Sequence, residues 1–575
     1  MERQRPDTSS NEIELYIRTY YSLLRSNSDI RVRSLEEAHL FSDSSLHLNA
    51  RESEPDLSAF GYAAARLPSC MPDVQKVVLG QSTEAFQNTG LDVESWPRVS
   101  APGRRRPMKY DGAGTLALFI ASASDIDDVV PIVTAYQIEW NKVHVNIASG
   151  SANAETDDAW ADWLRAPVDA VASLRRAFGE EPLRRLFGEM KNRRLDLRLR
   201  LLAGSFSQYQ RAAERWWRGI EPVYRPSEAT TPRPIYFVSS NTHALVNLLG
   251  GYALAHQDDV LRSAQQDNPE RVWPALQTAL QENTGDLPNL LNFCLRHYIR
   301  RTPGTRGAVA AWDAQSGITT VRDPGEVEVA AQVFELSKLK PDRLDPRLSM
   351  PGLERLAASD AVIINIDYPL GMAAYQLLSR VGQGAKEIRA VYVMGKAATL
   401  NGRVGDVMLS KVVHDEHSKN SYLYRNAFSA TDVEPYLLHG TVLDNQKALT
   451  VRSAFLQNRS YMGVFYREGY TVLEMEAGPY LSAVYELVDP RRHPRDEIVS
   501  LGERAPFPIG ILHYASDTPY SRRQELLSKS LGFFGMDATY ACAIAIVRRI
   551  LASEVERTSP VASAGRESPA KTDRP

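Results

Sequence analysis

The sequence predicts an α/β fold, a mixed central sheet flanked by helices, with a mainly helical domain in front of it. Three observations carry this reading. From residue 235 onward, short β-prone apolar runs recur at 235–238, 361–366, 388–394 and 509–514. They alternate little, which is the pattern of strands covered on both faces. Helix-period stretches separate them, as in Leu245, Val246, Leu248 and Leu249. Residues 1–230, by contrast, are dominated by helical patterning.

A chain of 575 residues exceeds one simple hydrophobic core, so several domains are expected. The divisions fall at 1–230, a mainly helical domain, at 231–554, the α/β domain, and at 555–575, a Pro-, Ser- and charge-rich disordered tail. An apolar fraction of 43% and a net charge of -3 describe an ordinary globular protein with no global pull toward nucleic acid or anionic membrane. Cys70, Cys294 and Cys542 are far apart, giving neither a disulfide framework nor a CxxC metal pair. The first residues hold no apolar signal core, and no run of 18 apolar residues follows. A cytoplasmic location is expected.

Taken in order, Ser9, Asn11 and Glu12 cap a helix whose apolar face is Ile13, Tyr16, Ile17, Tyr20 and Leu24. The three arginines at 104–106 lie in a Pro- and Gly-rich loop and read as solvated surface. Residues 125–147 look helical despite Pro131. Residues 158–220 read as two or three helices broken near 179–182 and Gly204. Within 184–218, ten Lys or Arg face three Asp or Glu, with Leu195, Leu197, Leu199, Leu201 and Leu202 interleaved. A charged face on a packed helix is the simpler reading, and a polyanion surface is the alternative. Trp216 and Trp217 are expected to dock this helix on the next domain. Residues 309–312 are a weaker strand candidate, and 539–553 a largely buried last helix.

The chemistry-bearing residues sit at ends of apolar runs. Val472 and Leu473 deliver Glu474, Met475 and Glu476 into a small-residue turn, and the run at 509–512 delivers Ser516 and Asp517. Carboxylates at strand ends gather at one edge of an α/β sheet, where ligands usually sit. The bland readings stay open: Glu-x-Glu as surface charge, and Ser-Asp as a helix cap. His414 and His417, with Asp415 and Glu416, do not match HExxH spacing and bring no third metal ligand, so no metal site is expected.

Four segments in order, VIINIDYPLGMAAYQLL, VYVMGKAATLNGRVGDVML, VLEMEAGPYLSAV and ILHYASDTP, resemble the nucleoside phosphorylase superfamily. The likeness covers roughly residues 233–553 and is somewhat closer to AMP nucleosidase than to compact phosphorylases. It implies a nucleoside-phosphorylase-like sheet and cleavage of a purine N-ribosyl bond without a cofactor. By resemblance, Glu476 takes the sugar hydroxyls, Met475 packs under the ribose, and Glu474 orients the loop or touches the ligand. Asp517, oriented by Ser516, resembles the acid at purine N7. An unperturbed carboxyl titrates near 4, so a pocket must raise it, or base binding must deliver the proton.

The nucleophile is the harder question. The arginine that common bacterial purine phosphorylases carry before the glycine of the second segment is absent here; Val393 and Met394 precede Gly395, and Lys396 follows. Lys396 offers a point charge and not a bidentate fork. Water is therefore the expected nucleophile, with Lys396, Thr399 and Arg403 near a nucleotide phosphate. Ser239, Asn241 and His243 follow the earliest strand and occupy the place of the family's first phosphate loop without its glycine and arginine. The expected partners are a purine nucleoside or nucleotide and water or inorganic phosphate, within a homo-oligomer. The alternatives are a phosphate-dependent phosphorylase and a catalytically silent nucleotide-binding regulator. A nucleic-acid partner has least support.

Overall fold

Two sheets organise the chain. The computed structural model describes residues 11–148, 156–202, 205–225, 232–282, 284–322, 327–489, 494–502, 504–518 and 534–559. Among these, the first sheet contains β1 (Ile30–Arg31), β2 (Lys76–Gly80), β3 (Arg98–Ala101), β4 (Arg104–Tyr110), β5 (Thr115–Phe119) and β6 (Arg198–Leu201). Its order is β1-β6-β2-β5-β4-β3. The second contains β7 (Pro234–Ser239), β8 (Ile318–Val321), β9 (Ala331–Glu335), β10 (Val362–Ile366), β11 (Glu387–Thr399) and β12 (Val407–Asp415). It continues through β13 (Ser421–Leu423), β14 (Val442–Thr450), β15 (Tyr470–Glu474), β16 (Ile498–Ser500) and β17 (Ile509–Asp517). β7 pairs in parallel with β10 and β11, and β11 in parallel with β17. Every residue of β7 and β10 is buried, as their unalternating apolar sequences require.

The second sheet curls on itself. β17 pairs with both β11 and β12, so that β11, β15, β14, β12 and β17 close a ring of strands. Helices cover both sides. Tyr540, Ile544 and Ile550 of the last helix, Phe534–Arg557, pack in one core cluster, while Leu377, Leu378 and Tyr480 pack in the other. The whole is a mixed α/β fold with a helical N-terminal region. Among the described residues no helix is long and apolar enough to cross a membrane.

The N-terminal half holds the expected helices, including Asn11–Leu24 with its predicted apolar face buried and Ala123–Ala148 running through Pro131. It also holds the first sheet, which helical patterning had hidden. Leu195, Leu197, Leu199 and Leu201 alternate with charged residues at a period of two, the signature of a strand and not of a helix face. β6 accordingly pairs with β1 and β2, with Leu199 opposite Ile30 and Val77. The arginine run is not a solvated loop either. Arg104 and Arg106 are buried in β4, where Arg106 Nε donates to Asp125 Oδ1 at 3.2 Å. Residues 309–312 lie in the helix Thr305–Gln315, and the last helix runs to Arg557, into the segment expected to be tail. Residues 560–575 lie outside the described residues, as does Ser9.

The two halves are bolted together. Trp216 Nε1 donates to the Val329 carbonyl at 2.8 Å, and Trp217 lies so close to Gly384 that a Cβ there would meet its ring at 2.7 Å. The helix Phe206–Tyr224 thus belongs to the core of the second sheet. Arg106 Nη1 reaches the Val327 carbonyl at 2.7 Å, and Arg98 meets Glu328 at 2.9 Å.

One buried polar chain in the N-terminal half predicts a pH dependence of stability. Tyr16 Oη, His39, His47 and Glu139 are linked at 3.1, 2.9 and 2.7 Å. Burial first, then His47 and Lys142, hold His39 well below the usual histidine value. A histidine kept neutral in the native state does not take the proton that the unfolded chain takes below about pH 6.5. Stability to urea is expected to fall as pH drops from about 7 toward 5, and the fall to be shallower in His39→Gln. An equal pH slope in both proteins would contradict this.

Candidate active site

The site begins with an interruption in one strand's pairing. On one edge, β11 pairs with β7 as far as Val393, opposite Ser239, and with β15 from Ala398, opposite Leu473. Between them residues 394–397 have no strand neighbour on that edge among the described residues. The opposite edge stays paired with β17 throughout, with Lys396 opposite Tyr514. Where neighbouring strands part in an α/β sheet, a crevice opens. Of the residues along it Lys396 is exposed, while Gly395 is buried, with the Tyr368 ring 3.5 Å from where its Cβ would be.

Two carboxylates flank it. Ala398 is the partner of Asp517 on one side and of Leu473 on the other. At a strand spacing of about 4.8 Å, Asp517 and Leu473 lie roughly 10 Å apart across β11. Ser516 Oγ donates to Asp517 Oδ2 at 2.7 Å, so the expected orienting contact is present. Three residues past Leu473 comes Glu476, whose carboxyl is pushed up to about 8 by burial and by neighbouring Glu474, with hydrogen bonds from the Met475 and Gly371 backbones opposing.

Glu474 is committed to architecture. Its Oε2 accepts from the backbone N–H groups of Glu476 and Ala477 at 2.7 and 2.6 Å, and Thr450 Oγ1 donates to its Oε1. Thr450 in turn accepts from Gly478 N at 2.8 Å. Burial pushes the Glu474 carboxyl up to about 7. These hydrogen bonds tie the glutamate to the turn that carries Glu476. Met475 packs with Leu400, Leu449 and Leu473.

The other sequence candidates divide. His243 lies near the crevice; burial pushes it down to about 3, aided by Arg296, Arg105 and Lys396. Asn241 instead caps the following helix, its Oδ1 accepting from His243 N and Ala244 N at 3.0 and 2.6 Å. Ser239 is buried inside the sheet. Thr399 is buried and closes the next turn, accepting from Gly402 N at 2.9 Å. His414 and His417 diverge, toward Ser421 and Asp415 respectively.

The residues that sequence reasoning missed come largely from outside the four motifs. Arg105 reaches across from β4 to Asp367 at 2.5 Å and lies 5.2 Å over the Tyr368 ring. Tyr368 Oη meets Tyr514 Oη at 3.0 Å, which places Arg105 beside the strand carrying Asp517. Lys396 is exposed to the crevice, yet partial desolvation, then Arg105, hold it below the usual lysine value, with Asp517 opposing and Arg296 adding. Arg105, Arg296 and Lys396 thus form one group of cations. On the far side Arg66 stacks over Tyr62 at 3.4 Å, and the Asp517 charge reaches that phenol, which burial pushes up to about 12. The central arginine of 104–106 was the one available signal, because of the three only Arg105 is exposed.

The sequence matches the family of unknown function DUF6909 over residues 32–552, and the chain belongs to that family. No curated protein matches. Among solved structures the chain is similar to the S-adenosylhomocysteine nucleosidase of Streptococcus pyogenes, at 9% identity, covering 56% of this chain and 99% of that one, TM-score 0.31. It is similar to the 5'-methylthioadenosine/S-adenosylhomocysteine nucleosidase of Colwellia psychrerythraea 34H, at 11% identity, covering 40% and 86%, TM-score 0.27. Uridine phosphorylase of Schistosoma mansoni gives 12% identity, covering 33% and 72%, TM-score 0.25. At these scores a functional reading has to come from the site's own geometry.

Glu474→Ala is expected to leave two backbone donors unpaired and to lower stability by about 1–3 kcal/mol, read from urea unfolding. A loss below about 0.5 kcal/mol, the range of ordinary surface substitutions, would show that the turn does not depend on it.

Proposed function

We propose that the protein cleaves the N-glycosidic bond of a purine nucleoside or nucleotide in the crevice between β7 and β15. The observation that carries this reading is the pair Glu476 and Asp517 on either side of β11, with a cation group beside them. Breaking such a bond builds positive charge on the sugar and negative charge on the departing base. Glu476 accepts from the ribose hydroxyls and lies next to the growing cation, and Asp517, held by Ser516, donates to the base.

The cations bear on what else binds. Without an arginine ahead of Gly395, water was the expected nucleophile. Arg105 and Arg296 bring positive charge to Lys396 from other segments, so that ground for preferring water is weakened. Three cations in one group favour an anion, supplied as inorganic phosphate attacking the sugar or as a phosphate on a nucleotide. Hydrolysis of a nucleotide and phosphorolysis of a nucleoside are the two readings this supports.

Incubation with AMP, adenosine, inosine, guanosine and methylthioadenosine separates them. Free base released without phosphate marks hydrolysis. Release only with phosphate, together with a sugar 1-phosphate, marks phosphorolysis. Binding with no release from any of them would overturn the enzymatic reading. Glu476→Gln should cost about 2–4 kcal/mol in catalysis by removing charge at the sugar. Asp517→Asn should slow release of purines far more than release of a leaving group that needs no proton.

The pH dependence follows with its sign. Glu476 must be ionised to accept from a sugar diol, and its carboxyl is held up to about 8. Measured as kcat/KM, which reports the free enzyme, activity is expected to rise as pH increases through about 8. Glu476→Gln should abolish that limb, and a profile unchanged by this substitution would contradict the role.

A further inference from the structure

A second hydrogen-bonded chain crosses between the two halves next to the turns that flank Glu476. Ser124 Oγ lies 3.1 Å from His417 Nε2, and His417 Nδ1 lies 3.0 Å from Asp415 Oδ1. Asp415 is fixed in turn by Ser418, whose Oγ donates to Oδ2 at 2.6 Å. The order Ser-His-Asp resembles a nucleophilic triad, but its surroundings do not support that use. Ser124 is completely buried, and its Oγ accepts from the Met372 backbone N–H at 2.9 Å. A hydroxyl enclosed in this way cannot meet a substrate.

Its neighbours give it a different use. Ser124 fills the space that a side chain at Gly371 would need, since a Cβ there would lie 2.2 Å from its Oγ. Gly371 has φ +51°, a conformation that excludes most side chains as well. At the other end of the chain, a Cβ on Gly478 would lie 2.6 Å from Asp415 Cβ. Ser124 and Asp415 therefore brace two glycine turns, and those turns begin the helices Met372–Gly384 and Ala477–Val488. Glu476 sits between them. Its carboxyl is hydrogen-bonded by the Gly371 backbone, and it immediately precedes the second helix.

Ser124 is itself held by the N-terminal half. Asp125 Oδ2 accepts from Ala121 N and Ser122 N at 2.8 and 3.1 Å, and Arg106 donates to its Oδ1. We infer that Ser124, His417 and Asp415 form a positioning relay through which the N-terminal half holds Glu476 in its working place. The inference rests on reading Glu476 as the sugar-side carboxylate. Ser124 acts through the Gly371 turn and touches no substrate. Loss of its hydroxyl leaves the Met372 N–H and His417 Nε2 without this partner and removes the stop against which Gly371 rests.

The test is a double-mutant cycle on the full chain. Ser124→Ala should lower turnover of whichever nucleoside or nucleotide the wild type cleaves by on the order of tenfold to a hundredfold, the range for a misplaced catalytic group. In a Glu476→Gln background the same change should cost little, because the group being positioned is already altered. Equal losses in both backgrounds, or wild-type turnover in Ser124→Ala, would overturn the relay. Amide exchange at Met372 reads the brace without any activity: it should accelerate in Ser124→Ala, and unchanged protection would overturn the proposal. If Ser124→Ala does not fold, His417→Gln is measured in the same cycle with the same expectations. Wild-type turnover in Glu476→Gln alone would instead remove the reading of Glu476, whatever Met372 shows. Labelling of Ser124 by a fluorophosphonate would show a reactive, accessible hydroxyl and end the positioning account.

Discussion

The pairing of β11 is the constraint on which the rest of the site depends. One edge of this strand is satisfied by β17 along its whole working length, while the other changes partner from β7 to β15. β7 runs parallel to β11 and β15 antiparallel, so the two cannot continue into each other, and residues 394–397 have no strand neighbour on that edge among the described residues. A register shift between Ala397 and Ala398 leaves Ser516 as an extra residue on β17, just ahead of Asp517. Backbone hydrogen bonding thereby fixes where the crevice lies and which residues rim it: Lys396 from β11, Asp517 from β17, and Glu476 from the turn after β15.

Charge within that crevice is arranged by burial as much as by pairing. Burial, then the charge of Glu474 two residues away, raises the cost of ionising Glu476, while burial and the Asp415 charge do the same to Glu474. Glu474 meets that cost with two backbone donors and Thr450, leaving Glu476 as the carboxyl able to respond to a ligand. The cations come from three separate segments, Arg105 in the first sheet, Arg296 on a helix and Lys396 on β11. A site assembled in this way requires the two halves to be docked, which gives the N-terminal half a physical reason to be held by Trp216, Arg98 and Arg106.

Much of the second sheet was legible because its strands are buried on both faces. The unalternating runs that became β7, β10, β11 and β17 read as strands, although β11 runs on to Thr399, so that Gly395 and Lys396 lie within it and not at its end. The first sheet is hard to see in the sequence because β6 alternates leucine with arginine, so that its charge density resembles a solvated helix face while its period of two is that of a strand. Arg104–Arg106 is opaque for a related reason: alternate residues of a strand face opposite sides, so a triplet of arginines has both buried and exposed members. Asn241 and Thr399 illustrate another limit. Polar residues after a strand serve as caps or turn closers as readily as ligands, and only the hydrogen-bond partners tell these apart. Arg105 and Ser124 were beyond reach from the motifs, because each meets its partners across more than two hundred residues of chain.

The central claim is that the crevice along residues 394–397 is the ligand site and that both halves of the chain build it. A crystal structure of the protein soaked with adenine and ribose 5-phosphate tests this most directly. The account predicts the sugar between Glu476 and Asp517, with its phosphate among Arg105, Arg296 and Lys396. Density instead in the cleft of about 600 Å³ at the opposite end of β17, lined by Lys411, Phe428 and Arg549, with the crevice empty, would contradict it.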